Sequence, residues 1–299
     1  MEIYDQLTFH QRLRATEELA THLSALYHLR FPTIGSIYMS SPSIPASNKS
    51  EFTIGPLVSM TYFDEYDAHA RQPNLNADRG PWKTASEWLV SIPAAELAWI
   101  EGHVPEELDR GIKEWDIDPG DVHERMRSGR ARLHELIKIA SIYSGVPEDE
   151  SLSPYTFSLR HHDFRQSNFM INEHTGQVTG LIDFEATGTA PLWACAQMPS
   201  WLEPTDVGGW PVSSPADAAE RAALRKAFLD VVDRLDEHNG PETRDCWRGA
   251  YERGSPFQFL LGYCQMGCVA QSGMSEALLG VLEWAKSYPG QTATFPIDF

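Results

Sequence analysis

Mostly apolar residues recur at three- and four-residue steps near the start of the chain, a spacing typical of one face of an α-helix. The repeating positions are Phe9, Leu13, Thr16, Ala20, Leu23 and Tyr27. Thr8 and Gln11 have the spacing of a capping box, in which each side chain satisfies a free backbone donor of the other residue. The pattern predicts an amphipathic helix that begins after Thr8 and ends before Pro32.

Several short segments have the composition of β-strands. Residues 34–39 and 52–58 are two of them, separated by a loop rich in serine, proline and asparagine. We treat residues 40–83 as a loop-and-strand segment of its own. Further extended segments are predicted at residues 155–160, 169–171 and 177–182. The last two flank the sequence Asn172–Gly176, which predicts a hairpin turn.

The rest of the pattern is mostly helical. Thr84 and Glu87 form a second capping box, which predicts a helix toward His103 that Pro93 kinks or interrupts. Further helices are predicted at residues 121–143, 214–236, 242–253, 256–271 and 275–286. We therefore expect one domain over residues 1–299, of α+β class and predominantly helical, with a few short strands around the candidate chemistry.

Charge and composition narrow the function classes. The 299 residues are 42% hydrophobic and carry a net charge of −18, so nucleic acid and anionic membrane surfaces are disfavoured as partners. No apolar run of about 18 residues is present, so no membrane insertion is expected. The start is neither apolar nor basic, and four cysteines do not form a disulfide framework. We expect a cytoplasmic protein.

One run of polar residues carries the candidate chemistry. Asp163 is followed five residues later by Asn168, and Asp183 lies where the predicted hairpin returns the chain. In phosphoryl transfer, a carboxylate orients the acceptor hydroxyl and takes its proton, while amide and carboxylate oxygens hold magnesium against the nucleotide phosphates. We therefore interpret Asp163 as the catalytic base, and Asn168 and Asp183 as magnesium ligands.

Three neighbouring residues have supporting interpretations. Glu185 is a candidate ligand for another metal ion or for a water molecule near it. His161 is expected to fix the loop backbone through a hydrogen bond. Arg165 is a candidate catalytic residue that neutralises charge on the transferred phosphate. The alternative is an arginine that is exposed on the loop and has no catalytic role.

These motifs resemble the aminoglycoside phosphotransferase family, which shares the protein-kinase fold. The resemblance rests on the spacing His161-x-Asp163-x4-Asn168, followed by 182–185. Further segments resemble a fungal branch that contains the altered inheritance of mitochondria proteins: 52–56, 78–83, 96–100, 190–193 and 199–202. The resemblance implies ATP as phosphate donor, Mg2+ as cofactor, a small-molecule hydroxyl as acceptor and, as an alternative location, the mitochondrion. Glu185 replaces an aspartate of the family pattern, and His162 replaces a glycine.

The resemblance also implies a nucleotide-covering lobe at the start of the chain. No G-x-G-x-x-G or P-loop pattern occurs, and the earliest lysine, Lys49, lies in a polar loop. The expectation is therefore a helical C-terminal lobe without the covering lobe, and reduced nucleotide affinity. A non-catalytic pseudokinase-like binding protein is the alternative. A metal-dependent hydrolase with His161, His162, Asp163 and Asp183 as ligands is a weaker one.

Overall fold

The molecule combines helices with antiparallel strands. The structure, a computed structural model, describes residues 3–39, 52–58, 77–102, 157–185, 187–203, 215–239 and 246–252, with single positions at 130, 131, 133, 134, 136, 137, 140, 254 and 261. The helices are α1 (Ile3–Gln6), α2 (Phe9–Tyr27), α3 (Ala85–Gly102), α4 (Leu192–Cys195) and α5 (Pro215–Asn239). The strands are β1 (Gly35–Met39), β2 (Phe52–Gly55), β3 (Phe157–Arg160), β4 (Phe169–Ile171), β5 (Val178–Leu181) and β6 (Gly188–Pro191).

Helix α2 begins at the predicted capping box. The backbone N–H of Thr8 donates to Oε1 of Gln11 at 2.8 Å, and the backbone N–H of Gln11 donates to Oγ1 of Thr8 at 3.4 Å. The helix ends at Tyr27, five residues before Pro32. Its buried residues are Ala15, Thr16, Leu19, Ala20, Ser24 and Tyr27. The predicted face is therefore confirmed at Thr16, Ala20 and Tyr27, whereas Phe9 at the start of the helix is exposed.

The larger sheet has four strands in the order β2-β1-β6-β3. Each neighbouring pair is antiparallel. Strand β6 was not predicted, because its glycine and proline residues have low strand propensity. All four of its residues are buried, and it joins the β1–β2 hairpin to β3. The predicted strand 52–58 is shorter in the structure and ends at Gly55, because Pro56 has no N–H to donate to a ladder.

Helix α3 confirms its predicted cap. The N–H of Thr84 donates to Glu87 Oε2 at 3.1 Å, and that of Glu87 donates to Thr84 Oγ1 at 3.2 Å. The helix continues through Pro93 to Gly102, so the predicted interruption is wrong. The buried Trp88, Leu89 and Ile92 hold the first half of the helix against the sheet, which offsets the hydrogen bond that proline cannot make.

The other predicted helices are described only in part. Helix α5 extends past the predicted end at Asp236 to Asn239. Residues 247–252 are helical, as are the described positions between 130 and 140. The rest of the helices predicted at 121–143 and beyond residue 242 lies outside the described residues. The predominantly helical character and the single domain therefore stay predictions.

Three clusters of buried side chains hold the elements together. The first lies between the large sheet and α3, the second between α2, α4 and α5, and the third between α1, α2 and the β4–β5 hairpin. Fully burying a large apolar side chain contributes about 1.5–3 kcal/mol. The third cluster matters most for the chemistry, since it sets the position of the β4–β5 hairpin. Among the described helices, none combines the length and apolarity needed to cross a membrane.

Candidate functional site

The β4–β5 hairpin carries Asp183 and is fixed to α2 by polar contacts. Gln11 Nε2 donates to the carbonyl of Glu173 at 2.9 Å and to that of His174 at 3.0 Å. At the start of β5, the N–H of Val178 donates to Glu18 Oε2 at 2.6 Å. The turn of the hairpin therefore cannot shift along the helix without breaking three hydrogen bonds.

A loop between β3 and β4 carries the candidate base. Asn168 closes a short 3-10 turn, in which its N–H donates to the carbonyl of Arg165 at 2.9 Å. The buried side chain of Asn168 turns back, and its Nδ2 donates to the carbonyl of Asp163 at 2.7 Å and to Asp163 Oδ2 at 3.1 Å. The two predicted partners, five residues apart in sequence, are therefore in direct contact.

Arg165 lies against the same carboxylate. Its guanidinium is 2.8 Å from Asp163 Oδ2, and its side chain is 64% exposed. Arg165 and Asn168 both bind Oδ2 of Asp163. Its other oxygen, Oδ1, has no hydrogen-bond partner among the described residues. One oxygen of the candidate base is thus held in place while the other is free to accept a proton.

Two hydrogen bonds join this loop to the segment that contains Asp183. The N–H of Ile182 donates to the carbonyl of Asn168 at 2.9 Å, and the Ile182 carbonyl accepts from His161 Nε2 at 2.9 Å. Asp183 follows with a φ of +66°, in the left-handed region that non-glycine residues other than asparagine and aspartate seldom adopt. The contacts at Ile182 thus fix the backbone between the end of β5 and Asp183.

His161 is held in an aromatic environment. The rings of Phe164 and Phe184 meet the imidazole edge-on, with centroids 5.7 and 4.9 Å away. Phe164 in turn stacks on Trp201 at 6.0 Å. Nδ1 of His161 is buried without a hydrogen-bond partner, and Nε2 is used by the Ile182 carbonyl. Nε2 therefore carries the proton, and Nδ1, the nitrogen with the lone pair, is buried beside aromatic rings, which disfavours His161 as a ligand in the hydrolase alternative.

The charges at the site act on one another. The pKa of the Glu185 carboxyl is raised, chiefly by its interaction with the Asp183 side chain and further by the charges of Asp183 and Asp163. Partial burial lowers the pKa of His162, while Asp163 and Asp183 act in the opposite direction. Three carboxylates therefore lie close enough to repel each other, which is the situation that a bound cation relieves.

The donor set suits magnesium. Asn168 uses its Nδ2 on Asp163, so its Oδ1 is the amide atom left to face a cation; the described residues give this oxygen a single contact, a 3.2 Å hydrogen bond from Ser167 Oγ. With Asp183 and Glu185 it makes a set of hard oxygen ligands. Among the described residues, no three His, Cys, Asp or Glu side chains form a metal-binding group. Magnesium at phosphates commonly takes only one or two protein carboxylates.

The sequence pattern does not predict the contacts that position the site. It indicates a role in the helix cap alone for Gln11, packing after the metal loop for Trp201, and no role in the site for Glu18. Gln11 and Glu18 hold the hairpin, and Trp201 supports the loop through Phe164. These contacts join residues far apart in sequence, so no local pattern could have revealed them.

Comparison with known proteins agrees with the candidate chemistry. Residues 60–194 match the model of a phosphotransferase enzyme family. The matched segment contains Asp163, Asn168 and Asp183. No curated protein matches the chain, and no solved structure does.

Proposed function

We propose that this protein transfers the γ-phosphoryl group of ATP to a hydroxyl group of a small molecule. The observation that carries the proposal is the contact of Asn168 with Asp163, made while the backbone of Asn168 binds Ile182 beside Asp183. The family match supports a phosphotransferase over other enzyme classes. Asp163 would supply the base and Asn168 and Asp183 the magnesium ligands of phosphoryl transfer, and hydrogen bonds join the segments that carry them.

Each side chain has a role that follows from its contacts. Oδ1 of Asp163 orients the acceptor hydroxyl and takes its proton, since Oδ2 is held by Asn168 and Arg165. Asn168 also fixes the orientation of the carboxylate, so that no reorganisation is needed when the acceptor arrives. Arg165 is exposed enough to leave Asp163 and stabilise charge on the phosphate oxygens.

Asn168, Asp183 and Glu185 would hold Mg2+, which supplies charge neutralisation at the phosphates of ATP. Asp183 raises the pKa of the Glu185 carboxyl, which indicates that these two carboxylates are neighbours. Asp183 is the stronger candidate of the pair, because His161 and Asn168 fix the backbone immediately before it. Glu185 has no comparable anchor among the described residues.

Several finer assignments belong to this proposal. A protein-kinase-like fold is consistent with the mixed helices and antiparallel strands. The sequence resemblance supports an aminoglycoside-like acceptor, the fungal branch and, as an alternative, a mitochondrial location, whereas the composition supports a cytoplasmic one.

Calorimetric titration with Mg-ATP tests the proposal. The variant Asp183→Asn removes one ligand charge and keeps the side-chain shape, and asparagine tolerates the φ of +66° that would strain an alanine. Asp230→Asn is a matched control: it removes the same charge from α5, where Asp230 pairs with the exposed Lys226. We expect saturable binding by the wild type and by Asp230→Asn.

Asp183→Asn is expected to weaken Mg-ATP binding at least about tenfold, the loss that corresponds to about 1.4 kcal/mol. Omitting magnesium should weaken wild-type binding as well and abolish the difference between the two proteins. Wild-type binding that is absent, or equal in Asp183→Asn, contradicts the proposal.

A non-catalytic binding protein is the second candidate. The observation that favours it is an exposed apolar edge on the β1–β2 hairpin, where Met39 is 78% exposed and Phe52 is 55% exposed. Exposed apolar surface of this kind marks interaction sites. This candidate predicts no Mg-ATP binding in the same titration, so one experiment separates the two.

A further inference from the structure

Four aromatic side chains pack together against the loop that carries the candidate base. The ring centroid of Phe164 lies 6.4 Å from that of Phe169 and 6.0 Å from that of Trp201. Phe169 and Trp201 also contact each other, with centroids 5.6 Å apart. Tyr4 of α1 joins this group, because its ring centroid lies 6.0 Å from those of both Phe169 and Trp201. We call these four side chains the ring cluster.

The ring cluster adjoins both residues whose contact carries the proposed function. Phe164 directly follows Asp163 in the chain, and Phe169 directly follows Asn168. The rings of Phe164 and Phe169 are nearly parallel, with an angle of 17° between their planes. The two ends of the loop 163–168 are therefore stacked on each other, and a movement of either ring would displace the backbone one residue from the site.

The hydrogen bonds of Asn168 with Asp163 and Arg165 do not attach the loop to the rest of the molecule. They lie within the loop, so they define its shape and move with it. The N–H of Ile182 attaches the loop to the segment after β5. Ring stacking on Trp201 is a second attachment, made to a different part of the chain.

Trp201 and Tyr4 are held by different elements. Trp201 lies in a 3-10 turn (Ser200–Leu202), and Leu202 is buried in the second cluster together with residues of α5. Tyr4 is 5% exposed and lies in α1, a helix of only four residues. A helix this short is not stable by itself, so its position depends on the burial of Tyr4 and of the following Leu7.

The ring of Tyr4 makes these contacts, and its hydroxyl does not contribute to them. Oη of Tyr4 is buried and makes no hydrogen bond with a residue that the structure describes. Burial accordingly raises the pKa of Tyr4, and the nearby Thr16 and Trp201 offset part of this increase. A phenylalanine at this position would keep the ring contacts without a buried hydroxyl that lacks a partner.

We propose that Tyr4 is a positioning residue for Asp163 and Asn168. Its ring completes the ring cluster and thereby holds the loop 163–168 in the arrangement in which Asn168 contacts Asp163. The proposal rests on the phosphotransferase function proposed above. It adds that the docking of α1 determines how firmly the base and the magnesium ligand are held.

Hydrogen exchange measured by mass spectrometry tests this role on the full chain without any ligand. Tyr4→Leu removes the ring and keeps a buried apolar side chain, whereas Tyr4→Phe keeps the ring. The control for a general loss of stability is Leu89→Ala in α3, since Leu89 is fully buried in the first cluster and lies outside the ring cluster. Calorimetric titration of the same proteins with Mg-ATP provides the second measurement.

We expect Tyr4→Leu to accelerate exchange of the backbone amides of residues 164–169 about tenfold, because the loop opens locally more often. Exchange in α3 should not change in this variant. Leu89→Ala should lower the unfolding temperature and leave exchange of residues 164–169 close to wild type. Mg-ATP binding should weaken about five- to tenfold in Tyr4→Leu and stay close to wild type in Tyr4→Phe and Leu89→Ala.

Three results overturn the inference. The first is unchanged exchange of residues 164–169 in Tyr4→Leu. The second is an equal acceleration in Leu89→Ala, which would mean that the loop responds to any loss of stability. The third is an acceleration in Tyr4→Phe as large as that in Tyr4→Leu, which would assign the effect to the hydroxyl.

The exchange measurement also separates this inference from the proposed function. Asp183→Asn should lose Mg-ATP binding and keep the slow exchange of residues 164–169, because the ring cluster is unchanged. Absence of Mg-ATP binding in the wild type would refute the phosphotransferase. The exchange rates of Tyr4→Leu and Tyr4→Phe would still decide whether Tyr4 positions the loop.

Discussion

The side-chain amide of Asn168 donates to both the carbonyl and the carboxylate of Asp163, at 2.7 and 3.1 Å. One buried residue thereby fixes the orientation of the candidate base. Its second amide atom, Oδ1, accepts a hydrogen bond from Ser167 Oγ at 3.2 Å and is the atom that would bind a cation under the proposed function. Asn168 would then couple the base to the cation.

Replacing this residue tests that link. Asn168→Ala should weaken Mg-ATP binding at least about tenfold through the lost ligand. It should also lower the free energy of unfolding by about 1–3 kcal/mol, because the Asp163 carbonyl loses its partner. Titration calorimetry and urea denaturation measure the two effects. The neighbouring Ser167→Ala, which only removes a donor to Asn168 Oδ1, should retain Mg-ATP binding; equal losses in both variants would contradict the link.

His161 offers a test of positioning. His161→Phe keeps the ring contacts with Phe164 and Phe184 and removes the donor to the Ile182 carbonyl. We expect a loss of about 1–2 kcal/mol in stability and weaker Mg-ATP binding, because the segment before Asp183 is no longer fixed. His161→Asn, which restores an N–H donor, should recover part of the binding. Unchanged affinity in His161→Phe would show that Ile182 is held by other contacts.

The elements that the sequence predicts well are those with local causes. The capping boxes at Thr8 and Thr84 depend on residues three apart, and the hairpin depends on the five residues from Asn172 to Gly176. The same holds for Asp163 and Asn168, whose contact lies within one loop. Each of these signals is complete within a single short segment, so no knowledge of the fold is needed.

The remaining features depend on packing between distant segments. Strand β6 has an unfavourable composition and exists because β1 and β3 supply hydrogen bonds on both sides. Helix α3 continues through Pro93 because its buried face is held by the sheet. Likewise, Glu18 binds β5 across 160 residues of sequence. Local propensity is outweighed in each case by contacts that only the folded chain brings together.

Gly176 connects the fold to the site. Its φ is +71°, and a Cβ at this position would lie 2.5 Å from the backbone oxygen of Gln11. Gly176→Ala should therefore strain the turn and push the hairpin away from α2. We expect a loss of at least about 1–2 kcal/mol in unfolding free energy, and weaker Mg-ATP binding because the hairpin carries Asp183.

A second glycine in the hairpin is the control for this prediction. A Cβ at Gly180 would meet only the terminal Cε of Met170, a flexible side chain that can move. Gly180→Ala should leave both stability and Mg-ATP binding close to wild type. Comparable damage from the two substitutions would mean that the hairpin is sensitive to any added side chain, and that its docking on Gln11 is not the cause.

The ion pair between Arg165 and Asp163 is expected to affect function more than stability. Exposed ion pairs contribute about 0–1 kcal/mol, and the Arg165 side chain is 64% exposed. Arg165→Gln should change the free energy of unfolding by less than about 0.5 kcal/mol and weaken the binding of Mg-ATP. The exposed Arg234→Gln should change neither quantity. A large destabilisation by Arg165→Gln would assign this arginine to the fold.

A partly buried ion pair far from the candidate catalytic loop is expected to give the chain a pH-dependent stability. Nε2 of His28, at the end of α2, lies 3.2 Å from Oδ1 of Asp236, and Nδ1 lies 2.7 Å from the Ser24 carbonyl. Oδ2 of Asp236 accepts the N–H of Trp247 at 2.8 Å. Because each ring nitrogen of His28 faces an acceptor, the protonated imidazole is favoured. The contact with Asp236 is the main reason why the pKa of His28 is raised.

The sign of the effect follows from linkage. A histidine whose folded pKa lies above its unfolded value of about 6.5 stabilises the protein fully below that value, and the contribution is lost as pH rises through the folded pKa. Because the ring is partly exposed, we expect about 0.5–1 kcal/mol. Urea denaturation of the wild type and of His28→Gln between about pH 5 and pH 8 measures it. The difference between the two proteins should shrink as pH rises, whereas the exposed His22→Gln should show no such trend. A difference that stays constant over this range would mean that folding does not shift the pKa of His28, and therefore that its contact with Asp236 does not stabilise the cation.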